Sequence, residues 1–200
     1  MDRPHASREL LPLGTEPSAA LRVAFDTEIQ EGRFDPNSLA PVAQLMSVGD
    51  VVFRADLQYE RFRTPRPPDL WGDLRKAPGI ADPVSFGEPV PNVAGPERPL
   101  LDEHTLARPG NTPSPPPAAA LPVLDPAPIV RTADPESPII LAGDATGLVS
   151  AAGAGLIQPD RPVLFSATFV DRPDKLQRMA GPNARIIITD SNRKDGHRWG

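Results

Sequence analysis

Twenty-eight prolines, unevenly spread and densest in the middle of the chain, limit what these 200 residues can fold into. Each proline lacks a backbone N–H and clashes with the preceding turn, so it cannot sit inside a regular helix and is confined to the edges of sheets. From Ala77 to about Pro117 prolines recur every few residues, ending in Pro113-Ser114-Pro115-Pro116-Pro117. That composition favours extended, solvated polyproline conformation over packing. An irregular stretch of this length marks a boundary. The sequence therefore divides into an N-terminal α/β segment over 1–76, a Pro-rich irregular connection over 77–135 and a more regular unit over 136–200.

The outer segments carry periodic apolar residues. Leu21, Phe25 and Ile29 recur at helical spacing after Ser18, a candidate N-cap, and Gly32 suits the left-handed position after a helix. Ser38 to Met46 predicts a second helix with Pro41 in its first turn, and Val51-Val52-Phe53 a short buried strand. A bend at Pro65, Pro67 and Pro68 precedes a short helix capped by Asp69 and running through Trp71 to Leu74. In the last third, Pro138 to Gly143, Arg161 to Phe165 and Arg185 to Asp190 read as strands, and Thr146 to Ile157 and Arg172 to Met179 as helices. The pattern is a βαβαβ unit, and its continuous apolar strands predict a parallel sheet covered on both faces. Leu121 to Leu124, or Ile129-Val130, would add a strand to that sheet. The fold class expected is α/β.

Composition excludes several functions. A net charge of −5 with interspersed signs gives no basic stripe for nucleic acid, and Arg54, Arg61, Arg63 and Arg66 are interleaved with Asp56, Glu60 and Asp69. With no cysteine, disulfides, thiolate metal sites and cysteine nucleophiles are ruled out. His5, His104 and His197 are scattered, against the convergence a zinc site needs, so no metal and no cofactor is expected. Met1 to Leu13 lacks the apolar core of a signal peptide, and no run is long enough to span a bilayer. A soluble chain follows from that.

Three clusters are candidates for chemistry. Gly143-Asp144-Ala145-Thr146-Gly147 lies between a strand and a helix, where glycines let backbone approach a phosphate and helix N–H groups are free. It lacks the Lys-Ser/Thr of a Walker loop and is not the dinucleotide fingerprint. A plain turn capped by Asp144 or Thr146 explains it as well. Thr189-Asp190-Ser191-Asn192-Arg193-Lys194 follows the last strand, at the edge where parallel sheets bind ligands. Asp and Asn are also ordinary turn formers. The ligand-binding candidates are thus Asp144, Thr146, Asp190, Asn192 and Arg193, with no catalytic residue among them. Arg54, Asp56 and Arg61 form the third cluster, which reads as an ion-pair network at a strand-to-helix junction. No Gly-x-Ser-x-Gly elbow is present, and no spacing singles out a carboxylate pair.

Three stretches occur in the order found in the actinobacterial alpha-(1->3)-arabinofuranosyltransferase family, and each resembles a segment of it. They are Asp50 to Pro67, with "R-A-D-L" followed by "Y-E-R-F-R-T-P-R-P"; Ile140 to Leu148 continuing into Asp160 to Leu164; and Ile187-Ile188-Thr189-Asp190-Ser191-Asn192-Arg193. Ala55 stands where the family pattern has Asn. The resemblance implies a context. In such large cell-wall arabinan enzymes a membrane region of the GT-C type holds the catalytic acids and uses a polyprenyl-phosphate arabinose donor. A soluble region follows it, and β-sandwich carbohydrate modules come later. The resemblance places this chain between those parts, as a fragment or split-gene product on the extracytoplasmic face of the plasma membrane. Its implied partners are the membrane-embedded catalytic region and arabinan glycan, its role is support and acceptor guidance, and none of the family's catalytic residues carries over. The alternative from the residues alone is a free-standing nucleotide- or sugar-binding α/β protein using the strand ends at Asp144 and Asp190. A third reading, a proline-rich adaptor, rests on Pro113 to Pro117 alone.

Overall fold

A computed structural model describes residues 16–57, 65–89 and 113–189. The fold is mixed α/β, with one antiparallel and one parallel sheet of three strands each. Helix α1 (Glu16–Gln30) begins before Ser18, which lies inside it rather than capping it. Its end is as the sequence predicts. Gly32 adopts φ 67°, its N–H donates to the Ile29 carbonyl (3.1 Å) and that of Arg33 to the Glu28 carbonyl (2.8 Å), closing a Schellman motif. Leu21 and Ala24 are buried on one face, and Phe25 meets Phe34 edge to face at 5.6 Å.

A 3-10 turn (Pro36–Ser38), capped by the Asp35 carboxylate on the Asn37 N–H, leads into α2 (Leu39–Leu45). Strand β1 (Asp50–Arg54) follows, then α3 (Pro67–Leu74). Pro67 and Pro68 open α3 from within, because its first-turn N–H groups would be unpaired anyway. The helix therefore starts two residues before the predicted cap Asp69, with Arg66 at the N-cap position.

The connection corrects the sequence reading most. It contains β2 (Val84–Phe86) and β3 (Ala118–Pro122), and β3 runs antiparallel between β1 and β2. Phe53 pairs with Ala119 and Val51 with Leu121, so Leu121 adds to this sheet and not to the parallel one. Pro115 and Pro116 are buried, not solvated, and the Pro117 carbonyl accepts N–H bonds from Ala55 (2.9 Å) and Asp56 (3.2 Å). A proline carbonyl still serves a ladder from which its nitrogen is excluded. Ile129-Val130 forms no strand. Packed against the inner face of this sheet are Leu39, Trp71 and Leu74, with the Trp71 ring stacked on Phe53 at 5.2 Å.

The second sheet is parallel, in the order β5 (Val163–Phe165), β4 (Ile139–Ala142), β6 (Arg185–Ile188). Between β4 and β5 lies α4 (Ala145–Gly153), and between β5 and β6 a 3-10 turn (Ser166–Phe169) and α5 (Pro173–Met179). Helix α4 stops short of Ile157 because Gly155 adopts φ 69°. The N–H groups of Gly155 (3.0 Å) and Leu156 (2.9 Å) then close on the Ala152 and Ala151 carbonyls, and Ile157 turns back into the core. Leu148, Val149, Ala151 and Ala152 bury the face of α4 against Ile139, Leu141 and Ile187, with Leu21 and Val42 completing the cluster. The opposite sheet face departs from expectation. Ile140 is covered, but Ile186 and Ile188 are 59% and 79% exposed, since α5 buries none of its residues.

Arg161 ties the amino ends of all three parallel strands together. Its guanidinium donates to the Ser137 carbonyl (2.6 Å), the Pro138 carbonyl (3.5 Å) and the Asn183 carbonyl, and to Gln158 Oε1 (3.4 Å). A charged donor is worth more than a neutral one, and losing it strands partly buried carbonyls. Arg161→Met is expected to lower unfolding free energy by about 2–3 kcal/mol in urea titrations. Arg161→Lys should recover less than half, because an ammonium lacks the planar fork. A second expectation concerns Gly153, where an added Cβ would run into the Asp35 carboxylate. Gly153→Ala should destabilise in the same assay, although alanine is the better helix former.

Candidate functional site

In the β5–β4–β6 order the chain moves from β4 to one side and returns on the other, so the strand order reverses at β4. Parallel sheets bind ligands at the carboxyl ends of strands beside such a reversal. Here that edge holds Gly143 and Asp144 after β4 and Thr189 after β6, whose N–H donates to the Ala142 carbonyl (3.0 Å). Asp190, Asn192 and Arg193 lie outside the described residues.

Asp144 has extended backbone (φ −112°, ψ −166°) and Oδ1 accepts the Gly147 N–H at 3.1 Å, so it is the N-cap of α4. Thr146 follows in the first turn, half-buried, with its carbonyl accepting the Ser150 hydroxyl at 3.1 Å. The turn is built by capping, which is the structural alternative the residues offered. The cap bond engages Oδ1 of that carboxylate.

Arg54 and Asp56 form a bidentate pair, Nε to Oδ1 at 2.6 Å and Nη2 to Oδ2 at 2.7 Å. The hydrogen bond from Arg54 holds the Asp56 carboxyl below its ordinary value, and the same bond raises Arg54. Both side chains are open to solvent at 49% and 43%, so the pair fixes the strand end locally and contributes little to stability. Arg61, the third member of that cluster, is outside the described residues.

Sequence reasoning missed one concavity. Pro68, Trp71, Gly72, Arg75 and Lys76 recur at helical spacing along α3 and just past its end, and with Pro113 they line a groove of about 320 Å³. The Arg75 guanidinium lies 5.9 Å from the Trp71 ring centre. Gly72 opens the groove, since nothing stands within 4 Å of where its Cβ would be. The i, i+3, i+4, i+7, i+8 spacing was readable; that Pro113 closes the other side was not. Among the described residues no group of three His, Cys, Asp or Glu is placed to hold a metal ion.

The class these features define is an α/β unit whose candidate clusters, where described, are engaged in capping and local ion pairing. The family model for "Alpha-(1->3)-arabinofuranosyltransferase, N-terminal GT-C domain" matches residues 1–200. The chain belongs to that family. The match lies within the stretch described as the N-terminal GT-C domain, where the resemblance in the sequence implies a segment following it. No curated protein and no solved structure matches the chain. GT-C enzymes are membrane-associated, yet no helix among the described residues is long and apolar enough to cross a membrane.

Two measurements test the site chemistry. The Asp56 carboxyl should titrate by NMR below the ordinary aspartate range, and Arg54→Gln should return it there. Because the folded-state value is depressed, the pair's small contribution is present above the unfolded value near pH 4 and lost as pH falls through the folded one. Asp144→Ala should cost about 1 kcal/mol as a lost cap, and Asp144→Asn or Asp144→Ser much less.

Proposed function

We propose that this α/β unit is a non-catalytic part of an arabinofuranosyltransferase. It lies on the extracytoplasmic side, where it supports the membrane-embedded catalytic region and guides arabinan acceptor chains. The observation that carries the reading is the family match over residues 1–200, taken with the absence of a membrane-crossing helix among the described residues. In this reading the transfer chemistry belongs to the membrane-embedded region, and the described part contributes its two small sheets. What it offers is a folded surface beside the membrane. The reversal edge at Asp144, Thr146 and Thr189 is where an acceptor sugar would lie, held by hydroxyl and carboxylate hydrogen bonds.

The test is an NMR titration of the chain with an arabinofuranose oligosaccharide, with calorimetry against nucleotides alongside. Saturable shifts confined to residues 143–147 and 189, weakened at least fivefold by Asp144→Ala, are expected, with no heat from nucleotides. Nucleotide binding at that edge without any response to the arabinan oligosaccharide would overturn acceptor guidance and restore the free-standing binding protein. Failure of the chain to co-sediment with membranes carrying the rest of the enzyme would overturn the supporting role.

A further inference from the structure

Ile129 and Val130 are 78% and 89% exposed, yet the segment that carries them is pinned on both sides. Before them, Ser47 Oγ donates to the Pro128 carbonyl (3.0 Å) and Gln44 Nε2 to the Leu124 carbonyl (3.0 Å). After them, Arg131 donates to the Gln44 carbonyl (3.0 Å) and the Leu45 carbonyl (2.8 Å). These are the last carbonyls of α2, where a cation also meets the negative end of the helix dipole. Ser47 (φ 57°) and Asp125 (φ 50°), the non-glycine residues with positive φ among those described, lie within this latch. Capping α2 requires Arg131. It does not require two β-branched aliphatic side chains held rigidly in water, where each loses the burial that would normally stabilise it.

A rigid apolar projection is a pre-ordered anchor, since the entropy of fixing it is spent in folding and not in binding. The charges around it specify the partner further. The same segment, residues 124–137, carries Asp125, Asp134 and Glu136 exposed, and its cation, Arg131, is engaged with α2. Its socket must be apolar and edged with positive charge. The chain has such a socket in the α3 groove, walled by Pro68, Trp71 and Pro113, opened by Gly72 and edged by the exposed Arg75 and Lys76.

We propose that the Ile129–Val130 projection of one copy of this chain seats in the α3 groove of a second copy. Asp125, Asp134 and Glu136 then face Arg75 and Lys76. The contact is heterologous, so both surfaces of each copy stay available and association proceeds beyond a dimer or closes into a ring. It is small, and therefore weak and salt-sensitive. The inference stands on different residues from the acceptor-binding reading and does not depend on it.

Sedimentation velocity on the chain across a concentration series should show association that weakens as salt rises. Val130→Asp, at a position already in water, and Gly72→Leu, which fills the groove, should each weaken it at least tenfold with unchanged circular dichroism. Because the chain has no cysteine, Val130→Cys in one copy and Lys76→Cys in another permit directed cross-linking. Mass spectrometry should find the 130–76 product, with Val130→Cys alone giving far less dimer. A chain monomeric throughout, association insensitive to both variants, or cross-links from position 130 only to residues away from α3 would each overturn the proposal. So would Val130-dependent binding to phosphatidylcholine–phosphatidylglycerol vesicles without self-association, which would assign the projection to a membrane surface.

Discussion

Everything in this fold is arranged around seven residues, Leu39–Leu45, because α2 stands between the two sheets and belongs to both cores. Val42 packs with Leu21, Leu141 and Leu148 under the parallel sheet. Leu39 packs with Phe53, Trp71 and Leu121 under the antiparallel one. Ala40 and Ala43 meet Val123 in the seam between them. A helix buried on so many sides needs small residues where backbone comes close, and Ala40 lies against Gly79, where an added Cβ would collide with it. That glycine also holds φ 79°, so neither its space nor its backbone suits another residue. Ser38, the one fully buried polar side chain among those described, satisfies its hydroxyl on the Asp35 carbonyl at 2.7 Å as the helix begins.

Short elements carry a cost of their own. Helices of seven to nine residues and strands of three to five leave a large share of their backbone groups without ladder or helix partners. Two arginines meet much of that demand, Arg161 at the amino ends of the parallel strands and Arg131 at the carboxyl end of α2. Each reaches across more than twenty residues of sequence, so each also fixes how distant segments sit. Two Schellman closures, at Gly32 and Gly155, do the same for α1 and α4 by local means.

This construction bears on function. Two of the candidate carboxylates also serve the local structure: Asp144 caps a helix and Asp56 grips Arg54. Large apolar side chains are left exposed elsewhere, among them Ile186 and Ile188 on the parallel sheet, Val52, Val84 and Phe86 on the antiparallel one, and Ile129 and Val130 on the latch. Parallel sheets are ordinarily covered on both faces. Here one face of that sheet is half open at Ile186 and Ile188.

Periodicity and turn chemistry made the βαβαβ order, the Gly32 helix end, the short α3 and the Asp144 turn legible in the residues alone, because each depends on neighbours within a few positions. The family was legible too, through ordered matches such as Tyr59 to Pro67. What the sequence could not express was pairing at a distance. Pro115 and Pro116 read as solvated because nothing local says that β3 lies between β1 and β2, and Leu121 read as part of the wrong sheet for the same reason. The reach of Arg131 back to Gln44 and of Pro113 to the α3 groove was likewise decided by tertiary structure. Apolar spacing reports which residues seek burial, while the partner that buries them is chosen only when the whole chain closes on itself.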